Sequence, residues 1–235
     1  MRPGFAEHVG NAAQIKKSGR WSALNTKIKR LAANPGKGNE WYVQLYGSLC
    51  FQVFSEYLSL EKDYMELCER DVSLLAWRGR NLLELFIWSK YFVRSRENAR
   101  RLYEDAGRDV LDILSAFEKW GQTTVQPSEW IESFASEKEN LAKRAAVDGI
   151  ETLDGPYKRV ADAARDCGTS SHFGVSYKML SKFAHPTAMQ ILGVADEEKR
   201  TVQRDCFFSQ GCLYFVGAFI ALEGGASFVD ASLTP

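Results

Sequence analysis

Tyr177, Ser181 and His185 are spaced four and four, so they fall on one face of any helix that contains them. Pro186 follows and disfavours helical geometry in the residue before it, which ends that helix at His185. There the negative pole of the helix dipole favours the protonated imidazole. A second pair, Arg80 and Glu84, is also four apart, and Trp77, Leu83, Ile87 and Trp88 surround it in sequence. An ion pair in so apolar a stretch is expensive to desolvate unless it is well hydrogen-bonded. Together these residues hold the parts for acid–base chemistry on a phosphodiester. His185 would move the proton, Arg80, held by Glu84, would stabilise negative charge, and Tyr177, Ser181 and Asn81 would position the substrate. A structural reading uses the same residues: Arg–Glu pairs tie helices together, and a histidine before proline can simply bond a carbonyl at a helix end. The sequence leaves open whether the two motifs meet.

Other groups point to less. His8 and His172 are isolated, and no His-Glu-x-x-His or Cys-x-x-Cys pair suggests a metal site. No glycine-rich phosphate loop appears, so neither a metal nor a cofactor is expected. Lys90, Arg94, Arg96, Arg100 and Arg101 straddle a helix junction, where they could meet phosphates or form a solvated helix end. The five cysteines, Cys50, Cys68, Cys167, Cys206 and Cys212, are odd in number and scattered, which fits a reducing compartment and a cytoplasmic location.

The elements that must position these residues read as helices throughout. Asn34-Pro35-Gly36-Lys37-Gly38-Asn39 is the clearest break, dividing an N-terminal helical arm, residues 1–39, from a helical-bundle domain, residues 40–235. Trp41, Leu45, Leu49, Val53 and Tyr57, with the adjoining row Tyr42, Tyr46, Cys50, Phe54 and Leu58, make one broad apolar stripe over about 41–70. The stretch 72–94 is apolar nearly all round and should be central. Over 97–120, Ala99, Leu102, Tyr103, Ala106, Val110, Ile113, Leu114 and Phe117 are expected to face inward, and Arg100, Arg101, Glu104, Asp105, Arg108 and Asp109 outward. Further helices are expected over about 127–149, in a short stretch ending at Cys167-Gly168, up to His185, and over about 197–228. No window alternates with β-branched enrichment. The expected fold is all-α, a bundle of about seven or eight helices without a significant sheet.

Net charge is zero but uneven: residues 1–40 carry +6 and the remainder −6. The basic arm could contact RNA or a nucleotide, or dock on the acidic body of its own fold or of a neighbouring subunit. The uncharged run Cys206–Leu222 is marginal in length for a membrane span and contains Gly211 and Gly217, so it reads as a buried helix, without a membrane partner.

Arg80, Glu84, Tyr177, Ser181, His185 and Pro186 resemble the marks of a group of uncharacterised bacterial helical proteins, over about residues 41–225. That group is similar in helical layout to the HEPN superfamily, whose members include metal-independent ribonucleases of toxin–antitoxin and antiphage systems, often dimeric. The resemblance implies a ribonuclease or nucleotide-processing effector of that kind, as a homodimer or with a protein partner. HEPN nucleases carry Arg-x-x-x-x-His, often opening Arg-Asn. Here Arg80-Asn81 is present, but Leu85 stands where the histidine would fall. Either His185 rebuilds the site from another helix, or the nuclease activity is absent. In the second case the chain is a non-catalytic helical module for a protein partner or small ligand.

Overall fold

The computed structural model describes residues 3–66, 72–123, 128–150, 153, 155–185 and 197–233. These form nine α-helices and no strand: α1 Pro3–Lys17, α2 Arg20–Ala33, α3 Glu40–Glu66, α4 Val72–Arg94, α5 Arg96–Thr123, α6 Ser128–Val147, α7 Val160–Asp166, α8 Ser170–Ala184 and α9 Glu197–Leu233. The all-α bundle expected from sequence is therefore the fold, with one helix more than the upper count. The extra helix comes from the arm, which Gly19 splits at a φ of 74°, a left-handed conformation that costs other L-residues energy.

The chain divides into two compact units, Met1–Ser95 with Val160–Pro235, and Arg96–Arg159. In the first unit α4 is central and touches α3, α7, α8 and α9. Its buried Leu75, Leu82, Leu83, Ile87 and Phe92 meet the stripe of α3 and the long apolar α9. The α3 stripe is buried at Trp41, Tyr42, Tyr46, Leu49, Cys50, Val53 and Tyr57, while Leu58 is turned outward. Tyr57 stacks on Phe215 with ring centroids 3.9 Å apart, and the Tyr46 hydroxyl donates to the Leu222 carbonyl at 2.8 Å.

Glu197–Ala226 of α9 is, among the described residues, the one stretch long and apolar enough to cross a membrane, and 56% of its most apolar window is buried inside the protein. Gly211 and Gly217 allow that burial. A Cβ at Gly211 would collide with Leu60, and one at Gly217 would lie 2.7 Å from Phe86 Cε2.

The basic arm lies against this same unit, with α1 on α9 and α2 on α3. Lys16 pairs with Glu61 of α3, and the Arg20 guanidinium forks onto Glu223 of α9, with Nε to Oε1 at 3.0 Å. The Ser209 hydroxyl donates to the Phe5 carbonyl at 3.2 Å.

The second unit is an antiparallel α5–α6 hairpin, pinned by Phe117 stacked on Phe134 and by the Tyr103 hydroxyl donating to Asp148 at 2.8 Å. Here the structure reverses part of the expected facing of α5. Asp105 and Arg108 are buried, and Val110, Ile113 and Phe117 are about half exposed. Residues 155–158 cause the reversal by covering the polar row. The Arg108 guanidinium pairs with Asp105, the Lys158 amide donates to Asp105 at 2.9 Å, and Arg101 donates to the Pro156 carbonyl. A side chain at position 155 would meet Arg108 at 2.7 Å, so Gly155 permits the close approach. Burying charge is tolerable there because it is paired and hydrogen-bonded.

Candidate functional site

The helices that carry the site meet at a glycine. Gly79 precedes Arg80 on α4, and a Cβ there would stand 3.2 Å from Leu180 Cδ2 of α8 and 3.5 Å from the Phe207 carbonyl of α9. The small residue lets α8 settle against α4 at the level of Arg80. The turn into α8 is set by Gly168, whose φ of 69° closes α7 with the Thr169 amide on the Ala164 carbonyl at 2.8 Å and the Gly168 amide on the Arg165 carbonyl at 3.0 Å. At the other end α8 stops at Ala184, and His185 is extended, with φ −112° and ψ 148°. Pro186 lies outside the described residues.

This arrangement brings four of the six expected residues into one network. Arg80 Nε donates to Glu84 Oε1 at 3.1 Å within α4. Its Nη2 donates to the Tyr177 hydroxyl at 2.8 Å, and the guanidinium carbon sits 4.8 Å from the centre of the Tyr177 ring. Its Nη1 lies 2.7 Å from His185 Nε2. An arginine can only donate, so Nε2 is the acceptor in this contact.

Three of the five guanidinium N–H groups are used in these contacts, and two remain among the described residues. Arg80 and Glu84 are each less than one third exposed, and His185 lies open to solvent. The charge pair is therefore shielded on one side and reachable on the other.

Ser181 and Asn81 stand apart from the network. The Ser181 hydroxyl is shielded from solvent and has no hydrogen-bond partner among the described residues, although it shares a helical face with Tyr177 and His185. Asn81 turns toward α3, where its side-chain amide donates to Glu56 Oε1 at 3.2 Å. It belongs to a neighbouring network that the sequence reading passed over. There Arg78 Nε donates to Asp63 at 2.8 Å and Nη1 to Glu56 at 3.2 Å. Glu56 and Asp63 are two helical turns apart on α3, which is the signal that could have found it. Among the described residues no group of three or more His, Cys, Asp or Glu side chains is placed to hold a metal ion.

No curated protein and no solved structure matches the chain. A family model described as "Family of unknown function (DUF5677)" matches residues 67–201. The matched span is more than half of the chain and contains Arg80, Glu84, Tyr177 and His185. The chain belongs to this family of unknown function.

Proposed function

We propose that the chain is a HEPN-like, metal-independent ribonuclease of a bacterial defence or toxin system, acting in the cytoplasm without a membrane partner, with its site assembled from α4 and α8. The observation that carries this reading is the 2.7 Å approach of Arg80 to His185 Nε2, which supplies the missing histidine from another helix.

In this reading an RNA phosphate oxygen takes the Arg80 donor that Nε2 holds in the free protein, and the two remaining guanidinium N–H groups strengthen that grip. The freed Nε2 lone pair accepts the proton of the neighbouring 2′-hydroxyl. The 2′-oxygen forms a bond to phosphorus, the bond to the 5′-oxygen breaks, and that oxygen takes a proton from water, which the His185 imidazolium then replaces. The products are a 2′,3′-cyclic phosphate and a 5′-hydroxyl, with no net proton consumed. Glu84 fixes the guanidinium through Nε, and Tyr177 supports its other edge and keeps its own O–H proton for the substrate. Exposed Lys17 and Lys29 of the arm extend the contacts to the RNA backbone, so affinity falls with added salt.

The test is incubation of the purified chain with single-stranded RNA in the presence of EDTA, beside His185→Ala and Arg80→Ala. Cleavage to cyclic-phosphate ends by the wild type, lowered at least ~100-fold in either variant, is expected. Equal cleavage by all three proteins, or none by the wild type, refutes the nuclease.

The non-catalytic reading has one observation in its favour: each side chain of the Arg80 network already bonds another, as in a structural tie between α4 and α8. It predicts that the same variants lower the melting temperature while the wild type leaves RNA intact.

A further inference from the structure

Trp77 is out of place on a central helix. α4 is packed by α3, α7, α8 and α9, yet Trp77 is 40% exposed. No other large apolar side chain of α4 is exposed among the described residues. Burying so large a ring would stabilise the fold, so its exposure asks for another reason. The ring is also held in place. The Arg78 guanidinium carbon lies 4.8 Å from its centre, and Arg78 is itself fixed by Asp63 and Glu56 of α3. Two carboxylates neutralise that guanidinium, so it serves as a wall behind the indole and not as a grip on phosphate. What stays open is a flat, pre-oriented aromatic surface. Such a surface suits a nucleobase, because every base has a π-face to stack.

Two neighbours on α4 say which nucleotide would stack there. Arg80 is three residues on and Asn81 four, and at these spacings Cβ atoms stand roughly 5–6 Å apart on a helix. Arg80 turns to α8, where it meets Tyr177 and His185, and Asn81 turns to α3, where it meets Glu56. Trp77 therefore stands one helical turn from both. A base and its own phosphate, joined through one sugar, match the step from Trp77 to Arg80. Asn81 lies at the edge of such a base. The Glu56 carboxylate can only accept, so Asn81 must turn Nδ2 toward it. That leaves Asn81 Oδ1, an acceptor with no hydrogen bond among the described residues. An acceptor there pairs with the exocyclic amine of cytosine, adenine or guanine and opposes the O4 carbonyl of uracil.

We propose, resting on the reading of Arg80 as the phosphate-holding group of an RNA site, that Trp77 is the stacking platform for the base of the nucleotide whose phosphate Arg80 holds, and that Asn81 Oδ1 selects amino-bearing bases over uracil.

Binding of 2′-O-methyl RNA pentamers to the full chain tests this apart from cleavage, since they lack the attacking hydroxyl. Cytidine and uridine pentamers share charge and ring size, so the difference between them reports on the base edge. By fluorescence anisotropy the wild type should bind the cytidine pentamer about 10-fold more tightly than the uridine one. Asn81→Ala should remove that preference. Trp77→Ala should weaken binding of both pentamers about 10-fold, and Trp77→Phe should restore most of the loss, with helical circular dichroism unchanged. Equal binding of the two pentamers by the wild type overturns the selection by Asn81. A wild type that binds neither, a Trp77→Ala variant that binds as the wild type does, or a Trp77→Phe variant no better than Trp77→Ala overturns the platform. RNA cleavage by the wild type beside an unaffected Trp77→Ala removes the platform and leaves the nuclease standing. Binding with the expected preferences but without cleavage removes the nuclease and leaves the platform standing.

Discussion

At the scale of single residues, the strongest feature is the way one guanidinium ties three side chains from two helices. Glu84 holds Arg80 from within α4, and Tyr177 and His185 reach it from α8. Replacing Glu84 with Gln keeps a hydrogen-bond acceptor but removes the charge that fixes Nε. RNA cleavage should fall about 10-fold, with the cost in turnover rather than in RNA affinity, a split that steady-state kinetics resolves. The thiols give a second prediction. Burial pushes Cys50 and Cys212 up to about 12, and Cys167 is partly exposed. In the native protein at neutral pH a thiol reagent should therefore label Cys167 well before Cys50 and Cys212, which mass spectrometry of the labelled peptides reads out. The pairing of Arg80 with Glu84 was legible in the sequence because a four-residue spacing fixes neighbours on a helix. The absence of a partner for the Ser181 hydroxyl among the described residues was not. Spacing places a residue on a face but does not say which part of that face the next helix covers.

At the scale of elements, helices were legible where one broad apolar stripe stays buried, as in α3 against α4 and α9, and facing failed where a loop intervened. Residues 155–158 bury Asp105 and Arg108 of α5, and nothing in the helix's own pattern announces a loop returning over it. Gly155→Ala should expose the cause. Its Cβ would collide with the buried guanidinium, so the variant should lose about 1–3 kcal/mol of stability in urea unfolding. The glycines of α9 carry a related lesson. Read along the sequence, Gly211 and Gly217 weaken a membrane span. In the fold they are where α9 comes close to Leu60 of α3 and Phe86 of α4. The chemistry at Gly79 follows the same principle, since the closeness of α8 at that residue sets the reach from Arg80 to His185.

At the scale of the whole molecule, the charge asymmetry of the sequence is partly spent inside the fold, because Lys16 and Arg20 pair with Glu61 and Glu223. The number and types of elements were readable from pattern. The division into Arg96–Arg159 and the remainder was not, because no composition shift marks either boundary. Each unit carries a tyrosine whose ionisation the fold resists. Burial, then a hydrogen bond to Asp205, raises Tyr64 from 10.0 to about 12, and burial with Asp148 does the same for Tyr103. A raised folded value means the unfolded chain loses its proton first. The stabilisation is whole below pH 10.0 and drains away as pH rises towards about 12. Urea melts at stepped alkaline pH should show the midpoint falling through that window.

The central claim is that α4 and α8 build one reacting site. It is tested most directly by a double-mutant cycle on RNA cleavage in EDTA, comparing wild type, Arg80→Ala, His185→Ala and the double variant. Groups that act as a unit are not additive, so the double variant should cleave no more slowly than the worse single variant, within about threefold. Losses that simply multiply would mean that Arg80 and His185 act independently, and would contradict a shared site.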